Sequence, residues 1–220
     1  LVSNEIGVPY VVLHKENLAA SSKLLELRCK QAKEMGQFRG AHIIVHNETM
    51  RDIVICSGHV RPDKISALGC LRMDNYIKKI QDIAGANNDH TRKKVTLFSF
   101  QHGAGLGHIM PAWSEDGTMG LVKLFEDVHA AIAKLALRNP DIDFVIKPKW
   151  GGSWIGKIKD AIKKNGMDAE DIKNLNITVD VDPQDLILGS DIICGFGSTT
   201  LLEAAVALKP VIIPYFNEAI

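Results

Sequence analysis

Four short runs of the chain hold residue types suited to binding or proton transfer. The first is Gly195-Phe196-Gly197-Ser198-Thr199-Thr200-Leu201-Leu202-Glu203, set between an apolar run and a helical pattern. Its glycines permit a tight turn. Its three hydroxyls fall where a helix start exposes unpaired N–H groups and a partial positive charge, a seat suited to phosphate. Thr200 and Glu203 also have the Thr-x-x-Glu spacing of a capping box, so Thr200 can cap while Ser198 and Thr199 face a ligand. The second run, Phe98 to His108, contains Gly103, Gly105 and Gly107, whose loop amides can form an anion nest. It is not Gly-x-Gly-x-x-Gly and no helical pattern follows at once, so a dinucleotide fingerprint is not met. His102 and His108 suit the same anion: a neutral imidazole donates to phosphate and a charged one neutralises a leaving diphosphate.

The third run, Val145-Ile146-Lys147-Pro148-Lys149-Trp150-Gly151-Gly152, closes a strand with two lysines flanking a proline, and Lys147 is placed to offset anionic charge. The fourth is Leu13-His14-Lys15-Glu16-Asn17. Residues i and i+2 share a strand face, so His14 and Glu16 can act as a pair, either one taking a proton from a hydroxyl. His46 and Glu48 end the next strand similarly, although charged strand ends are also commonly just solvated. Two Asp-x-Asp pairs, Asp141–Asp143 and Asp180–Asp182, invite a metal reading, but 26 acidic residues produce such pairs by chance and neither pair has evident partner ligands. Trp113, Trp150 and Trp154 lie in or near loops, where stacking on a sugar or base competes with ordinary packing.

These runs must be carried by α/β units, since short β-branched runs alternate with amphipathic ones, the pattern of a parallel sheet with crossover helices. Strands are expected at 8–13, 41–46 and 67–70. Helices fall at 21–35, ended by Gly36, from about Glu48, and at 73–83. The stretch 85–94 has no large apolar residue and reads as a linker, giving an N-terminal domain over 1–84 and a second over 95–220. Beyond it, strands are expected at 95–100, 143–146, 177–181, 191–194 and 211–215. Leu121, Leu124, Phe125, Val128, Ile132 and Leu135 stripe a long helix at the 3.6-residue period, Ile155, Ile158 and Ile162 stripe another ending at Gly166, and 200–208 forms a third. Two such units imply an interdomain cleft, a common ligand location.

Composition narrows the partners. Lys plus Arg and Asp plus Glu are 26 each, so no global field recruits nucleic acid or anionic lipid. With 46% hydrophobic residues the chain can build a real core. Four scattered cysteines without a Cys-x-x-Cys pair argue against a disulfide framework or zinc site and suit a reducing cytoplasm. No apolar stretch approaches the roughly 20 residues of a membrane span.

The stretch Ser190 to Ala204, with Lys209-Pro210-Val211-Ile212-Ile213-Pro214, resembles the donor-nucleotide segment of GT-B glycosyltransferases of bacterial surface carbohydrate synthesis, those of capsule and lipopolysaccharide. Teichoic-acid glycerophosphotransferases and non-hydrolysing UDP-N-acetylglucosamine 2-epimerases share the segment. Gly69-Cys70-Leu71-Arg72-Met73-Asp74 resembles the Gly-x-Pro-Arg-x-Asp turn before the second domain, with Leu71 in place of proline. Lys149 stands where those enzymes often have histidine. The resemblance implies two Rossmann-like parallel-sheet halves facing a cleft, within a longer protein of which this chain is a fragment.

It further implies a donor site of His102, Gly103, Gly105, Lys147, Gly197, Ser198, Thr199 and Thr200, with Glu203 on the ribose, and an acceptor base at Glu16 or His14. The expected partners are a nucleotide-sugar donor and a glycan or lipid-linked acceptor, with no nucleic acid, no cofactor and no metal. The expected place is the cytoplasm, with peripheral association at the inner membrane left to segments beyond this chain. An epimerase, a CDP-glycerol glycerophosphotransferase or a non-catalytic nucleotide-binding module stays open beside the glycosyltransferase.

Overall fold

The computed structural model describes residues 8–14, 22–70, 73–84, 92–100, 121–196 and 198–214, the side chains of 121 and 122 excepted. The chain divides into two compact units, Leu1–Gln81 and Asp82–Ile220. Among the described residues no helix is long and apolar enough to cross a membrane.

The first unit is a parallel sheet in the order β1 (Val11–Leu13), β2 (His42–Val45), β3 (Ile65–Ala67). Helices α1 (Ser22–Glu34), α2 (Glu48–Cys56) and α3 (Asp74–Ala84) accompany it. The Asn47 side chain accepts from the Met50 N–H and starts α2, which buries Met50 and Val54 against Ile43, Val45 and Ile65. The expected strand at 67–70 lies earlier, at Ile65–Ala67. Gly69, at φ +86°, turns the chain out of the sheet, and buried Ile65 anchors the strand instead.

In the second unit, β4 (Lys94–Phe98), α4 (Leu121–Arg138), β5 (Asp143–Lys147), α5 (Ser153–Lys164), β6 (Leu175–Ile177), α6 (Pro183–Leu188), β7 (Ile192–Gly195), α7 (Thr199–Val206) and β8 (Val211–Ile212) follow in turn. All strand pairs are parallel, in the order β6-β5-β4-β7-β8. This is the Rossmann order 3-2-1-4-5. Being central, β4 is buried on both faces: Leu97 on one and Thr96 on the other are wholly buried.

One face of this sheet packs Leu97, Phe144, Ile146 and Cys194 against Leu124, Phe125, Val128 and Ile132 of α4 and Trp154, Ile158 and Ile162 of α5. Truncating a wholly buried Ile158 to Ala should cost about 2–5 kcal/mol. The α4 stripe continues through Ala136, and Leu135 is 45% exposed rather than part of it. Lys94 belongs to β4, not to a linker. The alternation Ile177, Val179, Val181 is not one strand: β6 ends at Ile177, opposite Ile146, and the chain then bends toward the Asp182 cap of α6. Of the four thiols, Cys194 is buried and Cys56 exposed.

Candidate functional site

The strand order of the second unit reverses between β4 and β7, and in open parallel sheets ligands gather outside the carboxyl ends at such a reversal. There the register sets Lys147, Phe98 and Gly195 in one row across β5, β4 and β7. In-register residues share a sheet face, so Lys147 lies on the Gly195 side. That is the side of α7: a Cβ on Gly195 would stand 2.9 Å from Leu201 Cδ2 and 3.3 Å from the Phe98 carbonyl oxygen. Only glycine lets strand and helix approach this closely.

The α7 start is capped by Ser198, whose Oγ accepts from the Thr200 N–H at 3.3 Å and lies 2.7 Å from Thr200 Oγ1. The cap is therefore Ser198, not Thr200. A capping box needs its acid three residues after the cap, and Glu203 is five beyond Ser198 and only 4% exposed. Ser198, Thr199 and Thr200 are half-buried at the helix terminus.

Lys147 is buried, and its Nζ donates to the Val179 carbonyl at 2.9 Å. Burial lowers its pKa from the ordinary lysine value, while Asp180 and Asp182 pull the other way. A lysine ammonium has three protons, so this bond leaves it further donor capacity.

Behind the row lies a buried chain that sequence reasoning missed. His129 of α4 is wholly buried; its Nδ1 meets the Phe125 carbonyl at 2.6 Å and its Nε2 meets Ser99 Oγ at 2.9 Å. A carbonyl only accepts, so Nδ1 carries the proton, and Ser99 O–H donates to Nε2. The Trp154 indole N–H then donates to Ser99 Oγ at 3.1 Å, and the Ser99 N–H to the Lys147 carbonyl at 2.9 Å. Burial lowers the His129 pKa to about 4, with the Phe125 carbonyl opposing. The one sequence signal is a histidine on the core face of an otherwise apolar helix.

In the first unit, His14 ends β1 and is half-buried, and its carbonyl accepts from His46 Nε2 at 2.7 Å. Burial first, then His46, His59 and Arg28, lowers the His14 pKa. Glu48 is exposed in the first turn of α2, 3.5 Å from Arg51. Of the Asp-x-Asp pairs, Asp143 accepts from Arg92 and Asp182 caps α6. Among the described residues no three His, Cys, Asp or Glu side chains form a group that could hold a metal. Glu16, His102, Gly103, Gly105, Gly197, His108 and Trp113 lie outside the described residues.

No family model matches the chain, and no curated protein does. Solved structures do. UDP-GlcNAc 2-epimerase from Neisseria meningitidis, bound to UDP-GlcNAc, is 14% identical with a TM-score of 0.54 over 96% of this chain and 53% of that one. The Methanocaldococcus jannaschii UDP-GlcNAc 2-epimerase, in complex with UDP-GlcNAc and UDP, is 11% identical with a TM-score of 0.54 over 96% and 61%. Anabaena Alr3699/HepE in complex with UDP-glucose is 16% identical over 96% and 54%, its TM-score of 0.45 too low to weigh. The chain thus spans about half the length of the solved proteins it resembles. Its fold is α/β with two Rossmann-like parallel sheets, of the GT-B kind.

Proposed function

We propose that the chain belongs to a nucleotide-sugar-dependent glycosyltransferase of surface-glycan synthesis that works without a divalent metal. In this reading the second unit holds the donor and the first supplies the acceptor's base. The observation that carries it is the row at the strand-order reversal, where the Ser198-capped start of α7 and buried Lys147 share one sheet face. A diphosphate seated there meets helix N–H groups, hydroxyls and one ammonium, fixed donors that stabilise a leaving group's charge without metal. His102, Gly103, Gly105 and Gly197 complete the seat in this proposal, and Glu203 takes the ribose. An acceptor hydroxyl attacks the anomeric carbon, its proton passes to Glu16 or His14, and the nucleoside diphosphate departs.

A second reading, a UDP-sugar 2-epimerase, is favoured by the fold likeness to two enzymes of that name. Fold alone does not choose between them. Product analysis does: a transferase releases nucleoside diphosphate in step with glycosylated acceptor, whereas an epimerase converts its UDP-sugar with no acceptor present.

The test is nucleotide titration of the full chain with UDP, CDP, GDP and their sugar conjugates. A ligand at 100 times its dissociation constant should add about 2.7 kcal/mol of stability. Glu203→Gln is expected to weaken the bound nucleotide by about 1–3 kcal/mol, the scale of a lost charge-assisted bond; unchanged affinity removes Glu203 from the site. Turnover is expected to survive chelation. If it fails and magnesium or manganese restores it, Asp180 and Asp182 become the first suspects.

A further inference from the structure

His129 sits wholly buried on the core face of α4, where Phe125, Val128 and Ile132 are its helix neighbours. A buried polar ring costs desolvation that phenylalanine or leucine there would not. Its bonds offset that cost, and they lead to the carboxyl edge of the sheet. Nε2 accepts from Ser99 Oγ at 2.9 Å, and Ser99 is where the chain leaves β4. The Ser99 N–H donates to the Lys147 carbonyl at 2.9 Å, one residue past the last β4–β5 register pair. From α5 the Trp154 indole N–H holds the same Oγ at 3.1 Å.

The imidazole also reaches the other side of the row. The Phe100 ring stands 5.8 Å from that of His129 and 5.4 Å from that of Phe196, centroid to centroid. Phe125 closes the cluster, 4.1 Å from His129. Phe196 follows Gly195 of β7 and comes two residues before the Ser198 cap. One imidazole thus connects to Lys147 through Ser99, and to the start of α7 through Phe100 and Phe196. Among the described residues no buried side-chain nitrogen or oxygen lacks a partner. A polar network satisfied throughout is rigid and specifies one arrangement. We propose that His129 is a positioning residue of the phosphate seat, acting through Ser99 to hold the exit of β4 between Lys147 and Phe196. The role rests on the donor seat proposed above at α7 and Lys147. It touches no ligand. Groups that bind a reacting diphosphate must be held closely, since about 1 Å of misplacement caused far from the chemistry can cost about 10²-fold.

The test titrates each protein with inorganic pyrophosphate and with whichever of UDP, CDP and GDP the wild type binds, and records melting temperatures without ligand. His129→Phe keeps a ring but no acceptor, and Ser99→Ala removes the hydroxyl. Each should lose about tenfold in affinity for both probes, the scale of one weakened charge-assisted bond. In His129→Gln the amide oxygen can accept from Ser99, so most of the affinity should return. Removing both polar partners is tolerated better than removing one. The double variant, Ser99→Ala with His129→Phe, should therefore regain part of the melting temperature and none of the affinity. Ile158→Ala, a core change on the same sheet face, should lower the melting temperature and leave affinity alone. Wild-type affinity in both single variants overturns the positioning role and leaves the seat standing. So does affinity that returns with stability in the double variant, an equal loss in Ile158→Ala, or no return in His129→Gln. A wild type that binds none of the probes removes seat and positioning role together.

Discussion

The carboxyl edges of the two sheets are built differently. In the second unit the edge is locked: Lys147 donates to the Val179 carbonyl, Ser198 to Thr200 are joined at the cap, and Trp154, Ser99 and His129 form a continuous buried chain. Among the described residues the first unit's edge is the looser in exposure: His46 Nε2 donates to the His14 carbonyl, and β1 leaves Val11 and Leu13 more than half exposed. A locked edge holds donors at fixed positions, which suits binding of a charged group that must not reorganise its surroundings. An imidazole held below its ordinary pKa is neutral near pH 7, as His14 is by burial and by nearby His46, His59 and Arg28, and a neutral imidazole can accept a proton. The contrast accords with the division of labour proposed above, binding on the locked edge and proton transfer on the loose one.

The largest effect expected is on turnover. Glu16→Gln should keep donor affinity and lower turnover by about 10²-fold or more, the usual share of general base catalysis. Release of nucleoside diphosphate with acceptor present is the measurement, beside a nucleotide titration of the same variant. Equal damage to affinity would make the loose edge a binding edge and erase the contrast. Normal turnover in Glu16→Gln with loss in Glu48→Gln would move the base to the end of β2.

Next in size is a pH effect on the locked edge. His129 has a folded pKa of about 4 against an ordinary 6.5. As pH falls, the unfolded chain takes up the proton first, so stability is full above about 6.5, declines down to about 4 and then levels. The total is about 3 kcal/mol at 1.36 kcal/mol per unit. Urea denaturation across this window should show a shallower decline in His129→Gln than in wild type, the remainder belonging to groups such as His14, and a lower baseline stability throughout. Equal pH slopes in the two proteins would mean that the imidazole is not held neutral by the fold.

The locked edge was also the harder one to read from sequence. The apolar stripes were plain: Leu124, Phe125, Val128 and Ile132 on α4, and Ile158 and Ile162 on α5, recur at helical spacing because one face must enter the core. Where a stripe misled, tertiary packing decided. Val179 and Val181 alternate like a strand, yet β5 ends at Lys147, just past the Ile146–Ile177 pair, and continues no backbone ladder alongside them. Gly69 cut short the apolar run at 67–70 by taking a positive φ. His129 was invisible for another reason. Its partners Ser99 and Trp154 lie 30 and 25 positions away in sequence, and no local pattern announces a bond across that separation. Lys147, Ser198 and Thr200 were legible because strand end, turn and helix start are local features, and the fold assembles them on one face.

The smallest effect concerns which hydroxyl starts α7, and it separates structure from binding at the seat itself. Ser198 occupies the cap position, but its bond to the Thr200 N–H is long at 3.3 Å. Ser198→Ala should therefore cost about 1 kcal/mol or less of stability, within the usual range for a lost cap. Thr200→Ala should cost less still, because what Thr200 gives the cap is its backbone N–H, which alanine keeps. Thermal denaturation without nucleotide measures both. If Thr200→Ala proves the more damaging, the chain uses the Thr200–Glu203 capping box in solution, and Glu203 is then committed to the helix backbone rather than to ribose. If the order holds, any further loss of nucleotide affinity in Ser198→Ala, beyond its loss of stability, belongs to the ligand, since the same Oγ would otherwise be satisfied by the cap alone.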